Sequence, residues 1–141
     1  MMSLHHAHLM TSDVDAAIRF WCDHFAAEVV LDEDIAGARN VFLRVGEGRL
    51  HLYAQAPTHL GQGTVHHLGI ETDELAPLTM RLKSEGISVS EIRHHAEFDY
   101  AMAEAPDNLL LELFQPKLEK LSNRLLASGY FASALGKKGE D

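Results

Sequence analysis

The sequence predicts an α+β fold built from two consecutive βαβββ modules, with an appended C-terminal helix. Three observations carry this. An internal repeat aligns His6 with His67, a shift of 61 residues (67 − 6), and continues in phase to the end of each copy. The first segment of each copy alternates apolar and polar residues with the period of two expected of a half-buried strand. The segment after it spaces its apolar residues along one helical face.

Module one spans residues 4–57. Residues 4–11 read as a strand, with Ala7 and Leu9 on one face and His6, His8 and Met10 on the other. Ser12 or Asp13 then caps a helix whose stripe is Val14, Ala17, Ile18, Trp21 and Phe25. Strands are expected over 28–34, 40–45 and 49–55, and the boundary between modules near 58–63. Module two spans 64–116, where VHHLGIETDELAPLTMR lies over LHHAHLMTSDVDAAIRF. It reads as a strand at 65–71, a helix at about 73–85 with stripe Leu75, Leu78 and Leu82, and strands at 88–93, 98–104 and 109–115. Pro77 falls early in that helix, where proline is tolerated, and Gly86 ends it. After Pro116, residues 117–135 carry Leu118, Leu121, Leu125 and Phe131 and read as an amphipathic helix; 136–141 form a loose polar tail. Residues 1–141 together are expected to be one domain.

Composition narrows the function. A net charge of −9 on 141 residues repels phosphate backbones and anionic lipid, so neither nucleic acid nor a membrane surface is an expected partner. The single cysteine, Cys22, rules out an intrachain disulfide and fits a reducing compartment, so a cytoplasmic location is expected. No stretch approaches the ~20 apolar residues of a spanning helix. Ten histidines is a high number for this length, and four of them form the pairs His5-His6 and His66-His67.

Strand parity decides what these histidines face. His6 and His67 point away from the helix of their module. The repeat also places His51 on Glu112 (112 − 51 = 61), Leu50 on Leu111, Leu52 on Leu113, Tyr53 on Phe114 and the turn Gly46-Glu47 on Asp107-Asn108. With the leucines facing the helix, His51 and Glu112 share the face of His6 and His67. One cation satisfies three imidazoles and a carboxylate that would otherwise be costly to leave without partners. The plainer account of any single histidine is a backbone hydrogen bond, and of Glu112 an ion pair with Arg49 or Arg93; repetition of the pattern in both modules weighs against both. His8 shares the parity of His6 and is a candidate for the substrate pocket, with Tyr53, His94, His95 and Tyr100. Arg44 is either an anchor for an anionic group or a surface ion pair. His5 and His66 point the other way and read as structural.

The segments HHAHL and SDVDAAIRFW, then HHLGIETDELAPL and APDNLLLELF, resemble the vicinal oxygen chelate superfamily, which includes glyoxalase I, fosfomycin-resistance proteins, methylmalonyl-CoA epimerase, extradiol dioxygenases and bleomycin-binding proteins. The resemblance covers roughly residues 4 to 116 and implies the paired-module, glyoxalase-like fold. It implies one divalent ion, Zn, Ni, Mn, Co or Fe(II), held by His6, His51, His67 and Glu112. It implies a small substrate that chelates through two neighbouring oxygens, lyase or isomerase chemistry with the metal as Lewis acid, and Glu112 as the catalytic proton carrier. A homodimer is implied, with the modules paired within a chain or across two. Two alternatives stay open: an Fe(II) extradiol-type dioxygenase using His6, His67 and Glu112 with His94, His95 or Tyr100 handling protons, and a non-catalytic protein that binds a drug or other small ligand. Glyoxalase-like members usually carry glutamate where His51 stands, and Leu-Gly where this chain has Phe25-Ala26.

Overall fold

The computed structural model describes residues 1–2, 4–60, 63, 65–128 and 130. The chain divides into two compact units, Met1–Gly61 with Ala105–Asn108, and Gln62–Glu104 with Leu109–Asp141. The first unit takes in the expected module one (4–57) with the 105–108 turn added, and the second takes in the rest of module two together with the segment after Pro116.

In module one, β1 (Ala7–Met10), α1 (Val14–Phe25), β2 (Glu28–Ile35), β3 (Ala38–Val45) and β4 (Gly48–Tyr53) form a sheet of order β1-β4-β3-β2. Asp13, rather than Ser12, caps α1: its carboxylate accepts the Ala16 N–H at 3.0 Å. Ser12 instead gives its backbone N–H and its hydroxyl to Asp107. The helix buries Ala17, Phe20 and Trp21, and the sheet buries Val41, Leu43, Leu50 and Leu52. The helix ends on Ala26 at φ 53°, ψ 34°, the left-handed conformation that glycine adopts without a Cβ penalty. The Phe25-Ala26 departure therefore bears on backbone strain.

In module two, β5 (Leu68–Glu71), α2 (Leu75–Ser84), β6 (Arg93–His94), β7 (Phe98–Ala105) and β8 (Leu109–Pro116) form a sheet of order β5-β8-β7-β6. The helix buries Leu75, Thr79 and Leu82, and the sheet buries Ala101, Ala103, Ala105, Leu111, Leu113 and Pro116.

The repeat is visible in the hydrogen-bond register. Parallel β1 and β4 pair Ala7 with Leu50, His8 with His51 and Leu9 with Leu52. Parallel β5 and β8 pair Leu68 with Leu111, Gly69 with Glu112 and Ile70 with Leu113, the same pairs displaced by 61. In the preceding hairpin the shift becomes 60, because residues 106–108 separate β7 from β8 where only 46–47 separate β3 from β4. Val41 and Leu43 thus correspond to the equally buried Ala101 and Ala103.

Three expectations change. The first strand of each module starts at Ala7 and Leu68, later than the predicted 4 and 65, so both histidine pairs precede regular pleating. The predicted strand 88–93 is reduced to a bridge from Val89 to Ala103 and the two residues of β6. The appended helix is broken: a 3₁₀ turn, Leu118–Lys120, precedes α3 (Asn123–Ala127), which restarts where the Ser122 hydroxyl accepts the Leu125 N–H. Phe131 and the expected tail 136–141 lie outside the described residues. No described helix is long and apolar enough to cross a membrane.

Candidate metal and ligand site

In module one the cup face is the side of the sheet opposite α1. β1 supplies His8, with His6 just before it, and β4 supplies His51 and Tyr53. The rings of His8 and His51 lie 4.3 Å apart between centroids, those of His6 and His51 5.8 Å, and those of His8 and Tyr53 5.3 Å. Four sequence-predicted residues are therefore together here. A cavity of about 590 Å³ opens beside them, with Val30 and Phe42 on its apolar side and His6, His8 and His51 on its polar side.

His51 has a defined proton arrangement. Asn40, 6% exposed on β3, donates its amide to the Ala38 carbonyl at 2.9 Å, which turns its oxygen toward His51 at 2.6 Å from Nε2. Nε2–H donates to that oxygen, and the lone pair of the neutral ring is on Nδ1. Burial lowers the His51 pKa, and the neighbouring His8 and His6 lower it further, so the neutral form that a metal requires is favoured.

In module two, His67 Nε2 stands 3.4 Å from Glu112 Oε2, both side chains about a third exposed or less. Gly69 is the counterpart of His8 and places no side chain beside Glu112; a Cβ there would first meet Phe114 at 3.5 Å. Tyr100, the counterpart of Asn40 under the shift of 60, has parity opposite to buried Ala101 and so shares the Glu112 face. His94 lies on the edge strand β6, its Nδ1 2.9 Å from an Asp99 oxygen that also takes Lys117 at 3.2 Å. Burial raises the Asp99 carboxyl, but these hydrogen bonds outweigh it and hold its pKa below the usual carboxylate range. His95 stacks on Phe98 with 4.6 Å between centroids. Both histidines are thus occupied by neighbours in the β6–β7 hairpin.

Sequence reasoning missed several residues. His5 and His66 do not turn away: His5 Nδ1 lies 3.0 Å from His6 Nδ1, and His66 Nδ1 2.9 Å from His67 Nδ1. Period-two parity fails because neither pair is within a strand. In each pair one ring donates and the other accepts through Nδ1. Asn40 was readable, since it shares parity with Phe42 and Arg44. Glu71, on the His67 side of β5, has a buried carboxylate oxygen with no hydrogen-bond partner among the described residues.

The donor chemistry fits a divalent ion. Each module supplies two of the four predicted ligands side by side, and Glu71 adds an unsatisfied oxygen on the carboxylate-bearing face. Among the described residues, no group of three or more His, Cys, Asp or Glu side chains forms a ready-made metal cluster.

Known structures share this fold. A fosfomycin resistance protein, FosX, from Listeria monocytogenes is 21% identical with a TM-score of 0.72, over 90% of this chain and 98% of that one. A mutant FosX has been crystallised with Mn(II) and 1S,2S-dihydroxypropylphosphonic acid. TnmS3, an antibiotic binding protein from Streptomyces sp. CB03234, is 20% identical with a TM-score of 0.68, over 82% of this chain and 98% of that one. A glyoxylase/bleomycin resistance protein/dioxygenase domain from Frankia sp. EAN1pec is 16% identical with a TM-score of 0.71, over 83% and 93%. Among curated proteins, none matches the sequence. The family model for the Glyoxalase/Bleomycin resistance protein/Dioxygenase superfamily matches residues 3–113, and the chain belongs to that superfamily.

Proposed function

We propose that the chain is a metal-dependent enzyme of this superfamily, acting on a small oxygen-rich substrate by lyase or isomerase chemistry. The observation that carries the reading is the doubled half-set: His6 beside His51 and His67 beside Glu112, with His6 and His67 each one residue before a strand pair of identical register. His6, His51, His67 and Glu112 would hold a divalent cation, which would supply Lewis-acid chemistry to a substrate with two adjacent oxygens. The residues of the chain do the rest. Glu112, whose Oε2 lies 3.4 Å from His67 Nε2, takes a proton from the substrate carbon and returns it. Asn40 holds the His51 lone pair on Nδ1. Val30 and Phe42 give the substrate body an apolar wall. A homodimer and a cytoplasmic location complete the proposal; the single free cysteine, Cys22, accords with a reducing compartment.

The ligand-binding alternative draws on the module-one cavity and on the fold shared with an antibiotic binding protein. Reaction tests separate the readings. Protein loaded with Mn, Ni, Co or Zn is expected to exchange solvent deuterium into α-hydroxyketone probes, and Glu112→Gln to abolish the exchange. Oxygen uptake with catechols on the Fe(II) form, without exchange, would assign the dioxygenase alternative. Ligand binding without either reaction would assign the non-catalytic one.

A further inference from the structure

The cavity of module one carries positive charge that the metal reading does not use. Arg44 on β3 and Arg49 on β4 are direct cross-strand partners, and both line the cavity with His6, His8 and His51. Each shares strand parity with a cup residue, Arg44 with Phe42 and Arg49 with His51, which are themselves the next cross-strand pair on that face. Like charges directly opposite in an antiparallel pair destabilise it. Little nearby compensates. Arg44 reaches only Glu28, at 3.9 Å with both side chains largely exposed, and Arg49 has no carboxylate partner among the described residues.

Module two does not repeat this arrangement. The counterparts are Glu104 under the shift of 60 and Leu110 under the shift of 61, so the arginine pair belongs to one cup only. It is also set into a chain with a formal net charge of −9, where long-range attraction alone would not hold an anion.

We propose that Arg44 and Arg49 form an anion subsite that selects small organic acids, carboxylates or phosphonates, whose apolar body lies against Val30 and Phe42. Guanidinium groups match both acid types through paired N–H donors. Of the preceding functional reading, the proposal uses only the assignment of this cavity as the binding site; it does not depend on the metal.

The experiment follows the Arg44 and Arg49 side-chain NMR signals and the dissociation constant while full-length, chelator-treated protein is titrated with phenylacetate, phenylphosphonate and the neutral isostere phenylacetamide. Work at about pH 8 keeps histidine from contributing the charge. Phenylacetate or phenylphosphonate is expected to shift both arginine signals and to bind about tenfold or more tighter than phenylacetamide. Both Arg44→Gln and Arg49→Gln should reduce that preference, with thermal stability unchanged or raised as the like-charge contact is relieved. Three results would overturn the proposal: no response of the arginine signals to any of the acids, equal binding of acid and amide, or an anion preference that survives the double Arg→Gln variant. Repeating the titration on metal-loaded wild type and His67→Ala keeps the two claims apart. Anion binding that requires metal and His67 but neither arginine would refute the subsite while supporting the metal. Anion binding by the arginines in a protein that takes up no metal would do the reverse.

Discussion

Asn40→Leu should weaken metal binding without unfolding the protein. The amide is nearly fully buried and held in one orientation by the Ala38 carbonyl, so its oxygen presents one acceptor to His51 Nε2–H at 2.6 Å. A neutral hydrogen bond of about 1 kcal/mol biases the two imidazole tautomers roughly fivefold toward the form with its lone pair on Nδ1. It also fixes the ring's rotation. Loss of such a partner from a ligating histidine typically costs about 10–100-fold in metal affinity, or about 1.4–2.7 kcal/mol. Leucine keeps the branching of asparagine at Cγ and leaves no acceptor; Asn40→Asp keeps the acceptor and serves as the control. The assay has two arms: nitrogen-15 shifts of His51 in metal-free protein, which report the tautomer, and competition against a chromogenic chelator, which reports affinity. The reasoning is refuted if Asn40→Leu, folded with an unaltered unfolding midpoint, keeps both the Nε2–H tautomer and wild-type affinity.

Other substitutions address backbone, acid response and chemistry. Ala26→Gly should raise stability: relief of the left-handed strain, about 1–2 kcal/mol, exceeds the extra chain entropy of glycine, about 0.5–1 kcal/mol. Thermal unfolding should shift upward by about 2–4 °C, and no shift or a fall would contradict the strain argument. The lowered His51 pKa means that the unfolded state takes up its proton at higher pH than the native state. Its contribution is therefore present above about pH 6.5 and lost as the pH falls through the native value. Urea midpoints of metal-free protein between about pH 8 and 5 should show this limb, and His51→Gln should flatten it. A second loss is expected below about pH 4, as Asp99 and Asp107 are protonated out of their hydrogen bonds. Glu112→Gln should retain the fold, with an unchanged far-ultraviolet spectrum, while deuterium exchange falls by at least about 100-fold.

The repeat and the parity of its strands were legible because register and pleat impose simple arithmetic. Once His6 is set on His67, the pairs of β1 with β4 and β5 with β8 follow, and they hold residue by residue. Parity was reliable only inside strands, which is why His5 and His66 were misread. The one-residue difference between the 46–47 and 106–108 turns shifts Asn40 onto Tyr100, a correspondence that a single alignment offset conceals. Ser122 interrupts the expected C-terminal helix because a local side-chain cap starts a helix wherever its geometry is met, whatever the apolar spacing around it. The face that Asn40 shares with Phe42 was readable from parity, but its hydrogen bond to His51 was not, since the direction of that bond depends on the carbonyl of Ala38.

The central claim, a divalent ion that depends on His6, His51, His67 and Glu112, is tested most directly by metal content per chain after purification without chelator, compared among wild type, His6→Ala, His67→Ala and Glu112→Ala. The account predicts a stoichiometric first-row divalent metal in wild type and its loss in every variant, whether the mutation lies in module one or module two. Wild-type protein that takes up no such metal even on reconstitution, or metal retained in full after either module's ligands are removed, would contradict it.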